Sequence, residues 1–265
     1  MSYWHVNHKN FLRYLVAPII IVLLLLTWEC LVRLREIPTW LLPTPSGIAM
    51  TLVQDAWLLS GHTWVTFIEV VLGFAAAVVA GVLLASAIAL NRSIEEAIYP
   101  IIIASQTIPI IVIAPMLLVW IGYGLAPKII VVALISFFPI TVNMVDGLRS
   151  IDPDMQRLMK TMGANKWQEF VKIRFPTSLP YLFSGLKVAI AVSVIGAVIG
   201  EWVGSKEGLG YLMIRSKPQF QTERVFAAIV ILSFMGVFLF VLIGVLQRFA
   251  TPWHRSEIKV KRSGD

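Results

Sequence analysis

The sequence predicts an all-α integral membrane protein with six transmembrane helices and both termini in the cytoplasm. Three observations carry that prediction: a composition too apolar for water, six charge-poor segments of spanning length, and a lopsided placement of Lys and Arg. Of the 265 residues, 58% are hydrophobic and 14% are charged, where a soluble domain carries about 25% charged residues. Mean hydropathy is +0.81. A soluble fold of this length turns much of its chain toward water, so lipid has to cover this one, and no large soluble domain is left outside the membrane.

A helical span takes about 20 mostly apolar residues. The first is expected over 11–32, uncharged from Tyr14 to Trp28. It is longer than the apolar region of a signal peptide and no A-x-A site follows, so it reads as an uncleaved anchor. The second is expected over 63–90, with Glu69 near one end, and the third over 98–121, inside a stretch free of charge. The fourth covers 128–148, the fifth 181–203 with Lys187 inside it, and the sixth 225–247. The chain reads as one transmembrane domain over 1–265.

Six spans put both termini on one side, and the basic residues choose the side. Lys9, Arg13, Arg92, six residues of the 149–180 loop and five of the C-terminal tail share one face, fourteen in all; Arg33, Arg35, Lys128, Lys206, Arg215, Lys217 and Arg224 share the other. The richer face is the cytoplasmic one. The same asymmetry accounts for 22 Lys+Arg against 15 Asp+Glu without any nucleic-acid partner. The single cysteine, Cys30, excludes an internal disulfide and a Cys-based metal site, and four scattered histidines argue against a His-cluster site.

Three segments outside the spans are long enough to matter. In 35–62, on the outer side, Ser46 is placed to cap an amphipathic helix with Ile48, Leu52, Val53, Trp57 and Leu58 on one face, suited to lie on lipid. The glycine-rich 204–223 segment also lies outside. The 149–180 loop lies inside and is the most polar stretch of the chain. There Asp152-Pro153 starts a helix that runs to about Met162. Gly163 breaks it, and a second short helix runs from Asn165 to about Ile173, ended by Pro176. Trp167, Phe170 and Val171 share one face of it. A basic amphipathic loop could rest on anionic lipid, but such a loop needs no glycine elbow. A docking element for a cytoplasmic partner does.

The spacing Gly163, nine residues, Ile173, one residue, Phe175-Pro176 resembles the EAA loop of ABC-importer permeases. Arg157-Leu158-Met159 stand where that motif has E-A-A, and Phe175 replaces its leucine. Leu42-Pro43-Thr44-Pro45-Ser46, Phe138-Pro139-Ile140, Asp152-Pro153 and the run from Gly200-Glu201-Trp202-Val203-Gly204 to Leu212 extend the resemblance to the nitrate/sulfonate/taurine branch. Within it the chain looks most like members handling thiamine's pyrimidine precursors, with sulfonate, taurine, nitrate or riboflavin as alternatives.

The resemblance implies a type I importer permease in a bacterial inner membrane. Its partners would be a second copy of the chain, two ATP-binding subunits and an extracytoplasmic binding protein, and it would work by alternating access. ATP and Mg would sit on the partner ATPase, and this chain would be no enzyme. It lacks G-x-x-x-x-G-K-[ST], and Gly200 to Lys206 is a near miss with the wrong spacing. Gly163, Ala164, Asn165, Lys166, Trp167, Glu169, Phe170, Ile173 and Pro176 would couple it to the ATPase. Trp167 and Phe170 would be anchors, and Lys166, Lys172 and Glu169 a polar rim.

Polar residues inside spans are costly and mark candidate pathways. Gln106 and Thr107 beside Pro109 and Pro115, Asn143, and Ser193 are such residues, the other reading of each being helix–helix hydrogen bonding. Glu201 could gate, touch the binding protein, or pair with Lys206 or Arg215. Asp146 and Lys187 could pair, or Lys187 could snorkel. Gly185, Ala189, Ser193 and Ala197, and Gly73, Ala77 and Gly81, recur at every fourth residue as faces for close packing. An intramembrane enzyme would need a paired nucleophile and base, and no helix offers one. A stand-alone channel or carrier would not need the elbowed loop.

Overall fold

The computed structural model describes residues 8–253; the tail basic residues Arg255, Lys259, Lys261 and Arg262 lie outside them. The described residues form helices α1 (His8–Leu34), α2 (Pro45–Gln54), α3 (Ala56–Leu90), α4 (Arg92–Ser105), α5 (Ile110–Ile121), α6 (Leu125–Arg149), α7 (Pro153–Thr161), α8 (Lys166–Glu169), α9 (Phe175–Trp202), α10 (Leu209–Ser216) and α11 (Thr222–Ala250). A π-helical segment, Phe170–Arg174, joins α8 to α9. Among the described residues, five helical runs are long and apolar enough to span a membrane: Val16–Leu34, Ala56–Leu90, Leu125–Arg149, Lys166–Trp202 and Thr222–Ala250.

The third expected span is not one straight helix. Its residues form α4 and α5, which pass the same test only as a pair and are bent by 100°. Pro109 lacks an N–H and pushes the residue before it out of the helical region. It lies at φ −63°, ψ 119° ahead of α5, and the chain turns there. Pro115, in contrast, is held inside α5.

The chain divides into two compact units. The first comprises 8–60 and 213–230 of the described residues. Glu29 of α1 accepts from the Ser46 backbone N–H (3.0 Å) and the Ser46 hydroxyl (2.7 Å), and from Arg33 Nε (2.6 Å), fastening the start of α2 to α1. The N-cap of α2 is Thr44 rather than Ser46. Pro45 takes the first helical position, and Thr44 Oγ1 accepts from Gly47 N. Trp57 and Leu58 belong to α3, not to the short amphipathic helix. Arg224 pairs with Asp55 at 2.7 Å, and Trp28 packs on Phe226.

The second unit comprises 61–212 and 231–253 of the described residues, and is built around α6. Its buried residues include Val132, Ile140, Met144, Val145 and Leu148 of α6 and Ala189, Ile190 and Ala197 of α9. The expected small-residue faces make this contact. A Cβ on Gly73 would lie 2.4 Å from Val132 Cβ, and one on Gly185 would lie 2.5 Å from the Pro139 carbonyl oxygen. Helices α3 and α9 therefore approach α6 at backbone distance, where dispersion rather than hydrophobicity holds helices in lipid.

Candidate functional site

Two regions of the second unit collect polar and aromatic side chains at the ends of the long helices. The first is the loop between α6 and α9. Asp152 Oδ1 accepts from Asp154 N at 2.9 Å and caps α7, with Pro153 in its first turn. The helix ends in a Schellman motif: Gly163 N bonds Lys160 O and Ala164 N bonds Met159 O, each at 3.0 Å. Gly163 holds φ +78°, a conformation that costs a side-chain-bearing residue about 1–2 kcal/mol. Asn165 and Gln168 then form a capping box, each side chain bonding the other's backbone N–H (2.8 and 2.9 Å). One helix is stopped and the next is started within four residues.

The second helix does not end at Pro176. It continues through the π segment, where Phe175 N–H bonds Phe170 O five residues back, and runs on as α9. Pro176 sits in the first turn of α9, a position that tolerates its missing N–H. Trp167 is 62% exposed, with Leu158 and Met162 of the preceding helix also exposed. Phe170, expected beside it as a second outward anchor, is buried. It stacks under Trp167 (centroids 5.7 Å, 20°) and packs on Phe175. Glu169, expected on the rim, is also buried and pairs with Arg174 at 2.7 Å. Lys166 and Lys172 are exposed, as are Gly163 and Asn165, while Ala164, Ile173 and Pro176 are half-buried.

The second region gathers α3, α6, α9 and the start of α10. Glu201, fully buried, accepts from Thr66 Oγ1 at 2.6 Å and from the backbone N–H groups of Gly210 and Tyr211. Leu209 N donates to Thr66 Oγ1 (2.9 Å) and Gly208 N to His62 Nδ1 (3.0 Å). Four successive N–H groups at the start of α10 are thus satisfied by side chains of α3 and α9, where a lone helix would leave them orphaned. Gly208 holds φ +112°, and a Cβ there would lie 2.2 Å from the Glu201 carboxyl carbon. Beside this cap, Lys128 Nζ donates to Glu69 Oε1 (2.6 Å) and to Ser205 Oγ (2.7 Å). A cavity of about 400 Å³ opens next to it, lined by Val65, Glu69, Tyr123, Leu125, Lys128 and Lys206 among others.

Among the expected pathway residues, Gln106 and Thr107 are exposed at the α4–α5 bend, with Thr107 Oγ1 bonded to Ala104 O. Asn143 is half-buried and donates to Pro139 O (2.8 Å). Ser193 is buried and bonded to Ile190 O of its own helix (2.7 Å). The structure does not bring these residues together with Glu201. Lys187 bonds Gln247 rather than Asp146, which is exposed. His62, Thr66, Glu69, Lys128 and Arg174 were not legible as site residues, because their partners lie on other helices or across a π turn. Among the described residues no group of three or more His, Cys, Asp or Glu could hold a metal ion.

Long apolar helices, one of them broken by proline, and an elbowed helical loop with an exposed tryptophan define the membrane part of a transport system. The sequence pattern of the binding-protein-dependent transport system inner membrane component family matches residues 77–252, and the chain belongs to that family. It is therefore the inner-membrane permease of an ABC importer, as the elbowed loop led one to expect. The chain is 40% identical over 237 residues to the formylaminopyrimidine transport permease protein ThiX of Halalkalibacterium halodurans, covering 89% of this chain and 94% of that protein. It is 36% identical over 241 residues to the riboflavin transport system permease protein RibX of Chloroflexus aurantiacus (90% of each). To the taurine permease TauC of Escherichia coli it is 27% identical over 243 residues, 88% of each chain. The fold matches the methionine ABC transporter MetNI in an inward-facing conformation, with TM-score 0.66 and 20% identity over 75% of this chain and 98% of that one.

Proposed function

We propose that this chain forms a homodimeric permease whose 153–174 loop faces the cytoplasm and seats in a groove on each of two ATP-binding subunits. An extracytoplasmic binding protein delivers the solute at the opposite end. The observation that carries this is the elbow at Gly163 and Asn165, which holds Trp167 62% exposed over the buried ring of Phe170. An aromatic ring backed by another, with Lys166 and Lys172 exposed on the same segment, fits a desolvated pocket on a partner. ATP and Mg bind the partner; ATP closure draws the two loops together and opens the permease outward, and hydrolysis resets it.

The substrate read best by similarity is a pyrimidine precursor of thiamine. The 40% identity to a formylaminopyrimidine permease over 89% of the chain supports it. Riboflavin is the second reading, from the 36% relative. Gln106, Thr107, Asn143, Ser193 and Glu201 are the polar residues proposed for the pathway. Gln106 and Thr107 are already exposed where the prolines free the backbone. Ser193 and Glu201 would have to exchange the hydrogen bonds they now make. The test is uptake by proteoliposomes holding permease, ATPase and binding protein, with labelled formylaminopyrimidine, hydroxymethylpyrimidine, riboflavin and taurine in competition. ATP-dependent uptake competed only by the pyrimidines supports the reading, and uptake blocked by riboflavin or taurine instead overturns the substrate.

A further inference from the structure

Glu169 and Arg174 are five residues apart, a spacing that an α-helix turns to different faces. The π segment between them brings them together. Arg174 Nε and Nη2 both donate to Glu169 Oε1, at 2.9 and 2.7 Å. The third arm of the same guanidinium, Nη1, donates to the carbonyl oxygen of Ala89 at 3.2 Å. Ala89 lies in the last turn of α3, where carbonyls lack an intrahelical partner and the helix dipole favours a cation. The Glu169 side chain is 8% exposed and that of Arg174 26%, so the contact is shielded from water and its screening is weak. A planar fork reaching two acceptors fixes orientation as a lysine would not.

We propose that Arg174 is a positioning residue that locks the α8 segment to the end of α3, so that a displacement imposed at Trp167 moves α3 and α9 together. Helix α9 follows α8 through the chain itself; α3 is 85 residues away in sequence, and this guanidinium ties its last turn directly to the α8 segment. A π turn is suited to the role, since such turns recur at functional sites, and here it also sets the geometry that the pair needs. The proposal rests on the reading of the 153–174 loop as the ATPase-docking element.

The test uses the full importer, permease with its ATPase subunits in nanodiscs, in a Cys30→Ser background. Spin labels are placed at Leu90→Cys on α3 and at Val171→Cys in the π segment that continues α8. With Arg174 intact, the label distance stays narrow and unchanged between nucleotide-free and ADP-vanadate-trapped states. In Arg174→Ala, the ATPase still co-purifies. The fraction of label pairs at the original distance in the trapped state falls at least about fivefold, the lower end of what one coupling free energy produces. Arg174→Lys, with the charge but not the fork, falls between. If Arg174→Ala does not fold, Arg174→Met, which keeps most of the side chain's length without the guanidinium fork, takes its place with the same expected loss. An unchanged distance in these variants overturns the inference, and so does loss of the ATPase in Arg174→Ala, which would make the residue part of the docking surface. No ATPase on the unsubstituted chain refutes the docking reading instead.

Discussion

Thr66 Oγ1 donates to Glu201 Oε1 at 2.6 Å across 135 residues of sequence, and the same hydroxyl accepts from Leu209 N. One threonine of α3 thereby joins α9 to the first turn of α10. The carboxylate it meets is among the least exposed groups in the chain and is held by main-chain donors rather than by a basic side chain.

Removing that acceptor should therefore be felt as a loss of helix α10 before a loss of the bundle. Glu201→Ala leaves the N–H groups of Gly210 and Tyr211 without their acceptor, at about 1–3 kcal/mol for each buried donor, while the Thr66 hydroxyl can turn to the His62 carbonyl oxygen 3.1 Å away. Limited proteolysis should cut 204–216 faster than in the parent, with a lowered midpoint of thermal unfolding. Glu201→Gln, which keeps an acceptor oxygen, should lose less. Equal protease resistance in Glu201→Ala would contradict the cap.

The Lys128–Glu69 pair predicts a non-additive pattern. Glu69 is fully buried and the Lys128 side chain is 13% exposed, so removing one partner strands a charge, at about 3–5 kcal/mol. Lys128→Met and Glu69→Leu should each strongly reduce folded yield in detergent, and the double variant should recover much of it. Additive losses in thermal unfolding of the four proteins would show that the two groups do not interact.

Gly163 predicts a change in the loop with the spans left intact. A Cβ there meets nothing within 4 Å, so the cost of Gly163→Ala is the φ of +78° alone, about 1–2 kcal/mol, and Gly163→Asn should be milder. Because the elbow aims Trp167, Gly163→Ala should reduce ATPase co-purification while size-exclusion behaviour of the permease stays normal. Gly185→Leu should do the reverse. The Pro139 carbonyl 2.5 Å from the added Cβ is backbone and cannot yield, so folded permease itself should be lost.

These contrasts follow how legible each feature was. Spans follow from composition, and Asp152-Pro153 and Gly163 follow from local backbone rules, so the start and break of α7 were readable residue by residue. The small faces of α3 and α9 were readable because their period of four is local. The 100° turn at Pro109 was not, because Pro115, Pro139 and Pro180 stay inside their helices. A proline alone does not say whether its neighbours re-satisfy the backbone. Phe170 shares the face of Trp167 as the spacing predicts, but its burial was out of reach, because it comes from the rings of Trp167 and Phe175 packed on it. The partners of Glu201 were out of reach because they come from α3 and from backbone donors, which no spacing reports.

Docking of the ATP-hydrolysing partner by the 153–174 loop is tested most directly by co-purification of the ATPase with Trp167→Ala. The variant permease should fold and insert normally, since Trp167 is exposed and Phe170 beneath it is retained. ATPase recovery should fall at least about tenfold, the loss expected when a central aromatic anchor worth about 2 kcal/mol is truncated. Full ATPase recovery with unimpaired transport would contradict docking by this loop.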